Sequence, residues 1–131
     1  VRPYLKRKIE KGHDWAALEF VVAALQNKHC FEDIPFFCKL LLKHIPIGRE
    51  HGLLSDVALS YLQSSIPIEY EFDQEVFSRS REYRSALADR YLRWYDGHKQ
   101  SAKWNSEYGM YLVEDYDQET VEKHLNWQIG K

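Results

Sequence analysis

Apolar residues recur at helical spacing through most of the first 65 positions. Trp15, Leu18, Val22 and Leu25 stand at i, i+3, i+7 and i+10, and Phe20, Val21 and Ala24 widen that stripe. The pattern predicts a broad-faced central helix that starts at Asp14, whose carboxylate is a good N-cap. Before it, Tyr4 to Gly12 reads as a short basic helix stopped by glycine. After it, Asp33 is a second N-cap, and Pro35 sits where a missing N–H costs nothing. Phe36, Phe37, Leu40, Leu41 and His44 continue that helix until Pro46 ends it. Leu53, Leu54, Val57, Ala58, Tyr61 and Leu62 predict a further helix over 50–64.

The period changes at residue 66. Ile66-Pro67-Ile68-Glu69-Tyr70-Glu71-Phe72 alternates apolar and polar, and Pro67 is out of place in a central strand. An extended connector or short edge strand is expected there. Asp73 then caps a long helix through Tyr95, with Val76, Tyr83, Leu87, Tyr91 and Trp94 on its apolar stripe and Gly97 as its stop. Residues 101–106 suit a helical turn, and 108–113 suit a strand that pairs with 66–72. A last helix opens at Asp117 or Gln118 and carries Val121, Leu125 and Trp127. The expected fold is mainly α. It is a single domain over 1–131, with five to six helices in a compact bundle or short array and one short two-stranded extended pair, 66–72 with 108–113.

Composition changes this picture little, and distribution changes it more. The net charge of −2 gives no general pull toward nucleic acid or an anionic surface. Within 1–13, however, Arg2, Lys6, Arg7, Lys8 and Lys11 face only Glu10, and within 105–122 six carboxylates meet no Lys or Arg. No run reaches the roughly 18 apolar residues of a membrane span, and no signal-peptide pattern is visible. Buried free thiols at Cys30 and Cys38 would suit a reducing, cytoplasmic setting, although a disulfide across their turn is geometrically open.

Candidate chemistry is sparse. No two of His13, His29, His44, His51, His98 and His124 are three or four apart, so no metal is expected. No nucleophile elbow, glycine-rich phosphate cradle or calcium loop is present, so no catalytic residue and no cofactor is assigned.

The unusual stretch is 79–104. There Arg79, Arg81, Arg84, Arg90 and Arg93 interleave with Tyr83, Tyr91, Trp94, Tyr95 and Trp104. Such residues dominate binding at protein interfaces, and Tyr also sits commonly at a core boundary. The leading expectation is a non-enzymatic protein-binding module of the adaptor, inhibitor or immunity type, with a basic protein as partner. Its surface would comprise Arg90, Arg93, Trp94, Tyr95, Trp104 and Tyr108, flanked by Glu114, Asp115 and Asp117. The alternatives are a nucleic-acid-associated domain that uses the N-terminal basic helix and the arginines of 79–93, and a small enzyme without a motif.

Overall fold

The computed structural model describes residues 2–26, 30–44, 46, 53–113 and 116–130. Among them are seven α-helices: α1 (Arg2–Glu10), α2 (Asp14–Gln26), α3 (Ile34–Leu40), α4 (Leu54–Ser65), α5 (Gln74–Arg79), α6 (Arg81–His98) and α7 (Gln118–Ile129). A 3-10 turn, Phe31–Asp33, precedes α3, and β1 (Ala102–Asn105) pairs with β2 (Met110–Val113). The architecture is the mainly helical one that the apolar periodicity predicts.

Helix α3 is the centre of the molecule. It packs against α4 on one side and α6 on another, and five of its seven residues are buried. Its Phe37 stacks on Tyr61 of α4 with ring centroids 4.0 Å apart. Phe20 of α2 meets Phe36 edge-on at 5.0 Å and so joins the first two helices to this core.

Helix α2 buries a different face from the one expected. Ala16, Ala17, Phe20, Val21 and Ala24 point inward, whereas Trp15 and Val22 are exposed. The reason is α1, which packs along α2 through Leu5 and Ile9. Small side chains on the inner face let the two helix backbones approach, and Trp or Val there would hold them apart. Asp33 also departs from its predicted role. It occupies the N-cap position of α3 without capping through its side chain. Its buried carboxylate instead pairs with Lys6 Nζ at 3.1 Å, and that ammonium lies 5.4 Å from the Phe36 ring centroid. A buried carboxylate requires such a partner, so α1 is fixed to the core by charge as well as by apolar contact.

The predicted long helix from Asp73 is two helices. Ser80 sits at φ −111°, ψ 113°, outside helical space, and its hydroxyl accepts from Tyr83 N at 3.1 Å to open α6. Asp73 caps α5 as expected, accepting from Glu75 N and Val76 N. Helix α6 runs past Gly97 to His98.

The expected strand pair is also re-partnered. Met110–Val113 does form a strand, but its partner is 102–105, where a helical turn was expected. The local hairpin closes through Gly109 at φ 67°, a left-handed conformation that glycine adopts without strain. Residues 66–72 join no helix or strand; Ile68 N turns back to Ile66 O at 2.9 Å across Pro67, a proline that has no N–H to give a ladder.

Both cysteines are free thiols. Cys38 is 0% exposed, and burial, with Asp89 adding to it, pushes its thiol up to about 12. Thiol titration of the native protein near pH 8 should therefore modify Cys30 alone, with Cys38 reacting only in denaturant. Two fast equivalents would contradict the burial of Cys38, and none would indicate a disulfide.

Candidate functional site

An extended segment without a strand partner still has backbone groups to satisfy. From Ile66 to Asp73 the chain is extended at both ends, with φ −118° at each of those two residues. Side chains from the following helices supply what a neighbouring strand would have supplied. Arg90 Nη2 donates to Glu69 O at 3.3 Å, Trp127 Nε1 to Tyr70 O at 2.9 Å and Tyr83 OH to Glu71 O at 3.4 Å. The Tyr83 hydroxyl also accepts from Asp73 N at 3.1 Å, so it bridges the end of the segment.

Helix α7 is held to the start of the same segment. The last carbonyls of a helix have no partner within it, and Gln63 O in the last turn of α4 is one of these. His124 Nε2 and Gln128 Nε2 both donate to it at 2.9 Å. These two residues are one turn apart, so one face of α7 covers the end of α4. His124 is 0% exposed, and its Nδ1 lies 3.2 Å from Glu69 Oε2. Its two partners are both oxygen acceptors, one on each side of the ring. Inside this seam Gln63 Nε2 donates to the Tyr70 hydroxyl at 3.1 Å, which shares a 2.7 Å hydrogen bond with the Tyr91 hydroxyl.

The outer side of the seam is an open groove of about 620 Å³ lined by Glu69, Tyr70, Glu71, Phe72, Trp127 and Gly130. Its rings stand at steep angles to one another. Tyr70 and Trp127 are 5.0 Å apart at 56°, and Tyr70 and Phe72 are 6.3 Å apart at 76°. Glu71 is exposed at the rim. Asp73 and Glu75 follow it on the surface, and positions 66–78 hold no Lys or Arg. Among the described residues, the Arg90 guanidinium of α6 lies 5.4 Å from the Tyr70 centroid. The groove is therefore aromatic and acidic.

The residues singled out between 79 and 117 occupy other places. Trp94 and Tyr95 are half-buried over Phe31, with Tyr95 stacked on it at 4.8 Å. Trp104 packs edge-on against the buried Tyr111 at 5.1 Å. Tyr108 accepts from Gln118 Nε2 at 2.6 Å, and Asp117 caps α7. Glu114 and Asp115, with His29 and His51, lie outside the described residues. Four of the five arginines are similarly engaged within the chain. Arg79 pairs with Glu75 at 2.8 Å, Arg84 Nη1 donates to Phe77 O at 2.7 Å, and exposed Arg93 bonds Asp89 O at 3.4 Å.

Among the described residues, the structure therefore brings Arg90 to the groove and Tyr83 to the backbone and ring behind its Glu71–Phe72 wall. Glu69, Tyr70, Glu71, Phe72, His124 and Trp127 were not among the sequence candidates. The signal present was the alternation of acids with rings at 69–72, visible but assigned to a connector.

Other chemistry is limited. His44 Nδ1 and Ser55 Oγ are 2.5 Å apart, the arrangement of a base beside a hydroxyl nucleophile. Ser55 is 0% exposed, so this pair ties the chain after α3 to α4 and offers a substrate no approach. Among the described residues no cluster of three or more His, Cys, Asp or Glu is placed to hold a metal, and no helix is long and apolar enough to cross a membrane. Comparison with protein-family models, with curated proteins and with solved structures gives no match in any of the three.

Replacing Trp127 with Phe keeps the ring and removes the donor to Tyr70 O. Denaturant unfolding should show a loss of about 1–2 kcal/mol, and an unchanged midpoint would mean that the bond contributes nothing. Separately, burial raises the hydroxyl pKa of Tyr70, Tyr91 and Tyr111. The folded state thus favours the neutral phenols. Their contribution to stability is complete below the unfolded value of about 10 and is lost as pH rises above it. Tyrosinate absorbance for these three should appear together with loss of helical circular dichroism. Reversible ionisation of all nine tyrosines in a still-helical protein would refute this.

Proposed function

We propose that the chain is a non-enzymatic protein-binding module that receives a basic segment of its partner in the groove of Glu69–Phe72 and Trp127. The observation that carries this is the pairing of carboxylates with steeply angled rings in one open cleft. Cationic side chains are drawn to aromatic faces, by about 0.5–1 kcal/mol at exposed sites and more when desolvated. Arg90 already shows this preference toward Tyr70. An acidic rim adds attraction at a distance and speeds encounter with a basic partner. The arginines of α5 and α6 are a poorer docking surface, because Arg79, Arg84, Arg90 and Arg93 have partners within the chain. An adaptor or an inhibitor of a basic protein fits such a groove, and its free thiols suit a reducing, cytoplasmic setting.

The test uses a short peptide of alternating Lys or Arg and apolar residues, titrated into isotope-labelled protein. Amide and indole shifts should concentrate at 69–72 and Trp127, and the exposed substitution Glu71→Lys should weaken binding about tenfold, or ~1.4 kcal/mol, without lowering the melting temperature. Shifts centred on Trp94 and Tyr95, or no saturable binding, would sink this function.

A further inference from the structure

A second surface, of opposite charge, lies on α1 and α2. Tyr4 and Trp15 are each 46% exposed, and their rings are 6.3 Å apart. Exposed His13 extends the cluster, 6.0 Å from Trp15. Lys8 Nζ lies 5.4 Å from the Tyr4 centroid, and Arg7 and Lys11 are exposed beside it. The one acid of α1, Glu10, is drawn aside by Lys39 at 3.8 Å. No ion pair recorded among the described residues involves Arg7, Lys8 or Lys11. Glu19, one turn along α2 from Trp15, bounds the patch.

The core does not require this arrangement. Helix α2 meets α1 and α3 through Ala16, Ala17 and Phe20 and leaves its tryptophan outside. Exposed rings interleaved with unpaired cations match one class of ligand, an anionic chain that also carries flat apolar groups. Single-stranded nucleic acid is that ligand, since phosphates meet the cations and bases stack on the rings. An anionic bilayer is disfavoured by the geometry. The apolar side of α1, Leu5 and Ile9, is spent on the core at 2% and 3% exposure, so no continuous apolar face remains to insert.

We propose that the Tyr4–Trp15 face of α1 and α2 is a binding site for single-stranded nucleic acid, independent of the acidic groove. The site uses Arg7, Lys8 and Lys11 on phosphates and Tyr4 and Trp15 on bases. Neither α6 nor its arginines take part.

Fluorescence anisotropy with a labelled single-stranded oligonucleotide of about 12 nucleotides, as RNA and as DNA, tests this on the full chain. Three phosphate contacts predict roughly 20-fold weaker binding between about 50 mM and about 200 mM salt. Trp15→Ala should weaken binding at least about fivefold. The double substitution Arg7→Glu with Lys11→Glu should weaken it further and flatten the salt slope. Arg93→Gln should leave it unchanged, and circular dichroism melts should confirm that all variants remain folded. Should Trp15→Ala unfold, the charge variants alone decide. The proposal is overturned by the absence of saturable binding near 50 mM salt, or by binding that survives loss of Arg7 and Lys11. Dependence on Arg93, or capture by phosphatidylserine vesicles without oligonucleotide binding, would overturn it equally. Binding of a basic peptide in the groove is a separate readout that none of these outcomes alters.

Discussion

The C-terminal half of this protein is organised by a stretch of backbone that belongs to no helix and that no strand accompanies. After α4 the chain runs from Ile66 to Asp73 without a ladder, so its carbonyls must find donors on side chains or in water. Long, planar donors are best suited to reach them. Arg90 reaches Glu69 O, Trp127 reaches Tyr70 O and Tyr83 reaches Glu71 O. Each donor is anchored on a different part of α6 or α7, so making these bonds also positions both helices. Three members of the surplus of Arg, Tyr and Trp after residue 70 serve this requirement. What resembles recognition chemistry in composition is, at those positions, the protein recognising its own backbone.

A similar economy joins α7 to α4. Val121 is the one fully buried aliphatic side chain of α7, which is little apolar contact for a terminal helix. Polar bonds from His124 and Gln128 to a single orphan carbonyl supplement it, and the Glu69 carboxylate holds the far side of the imidazole. Buried polar groups cost much when unpaired and contribute modestly when paired. The seam therefore selects one placement of α7 more than it stabilises it, and that placement forms one wall of the groove.

Apolar periodicity made the helices legible, together with the caps at Asp73 and Asp117 and the break in helical pattern at 66–72. It did not reveal which face of α2 turns inward, because two overlapping stripes satisfied the same period. Phe20 belongs to the buried one and Trp15 to the exposed one, and only the approach of α1 onto Ala16 and Ala17 decides between them. Ser80 was hard to read for a related reason. A serine inside a helical pattern is unremarkable, yet Ser80 is the joint where α5 ends and where its own hydroxyl opens α6. The groove was least legible. Its walls come from residues nearly sixty positions apart, and no local spacing encodes that Trp127 will lie over Tyr70. The pairing follows from an unmet carbonyl, a property of the folded backbone.

Preorganisation connects these constraints to binding. Immobilising a side chain at an interface costs about 0.5–1.5 kcal/mol. In the groove much of that cost is met during folding, since Trp127 is fixed by its N–H to Tyr70 O and Tyr70 by its hydroxyl to Gln63 and Tyr91. Phe72 is held against Phe77 and Tyr83 at 5.7 and 6.3 Å. The rings thus present fixed faces to solvent, while the exposed Glu71 remains free to adjust. On α1 and α2 the order is reversed. There, among the described residues, the rings touch one another without a hydrogen bond to fix them, and Arg7 and Lys11 stand exposed beside them while Lys8 lies over Tyr4. A rigid, acidic cleft favours a partner of defined shape, whereas a loose, basic face favours one recognised by charge and stacking and tolerant of sequence. The two surfaces differ in rigidity as well as in sign, so their ligands should differ in kind.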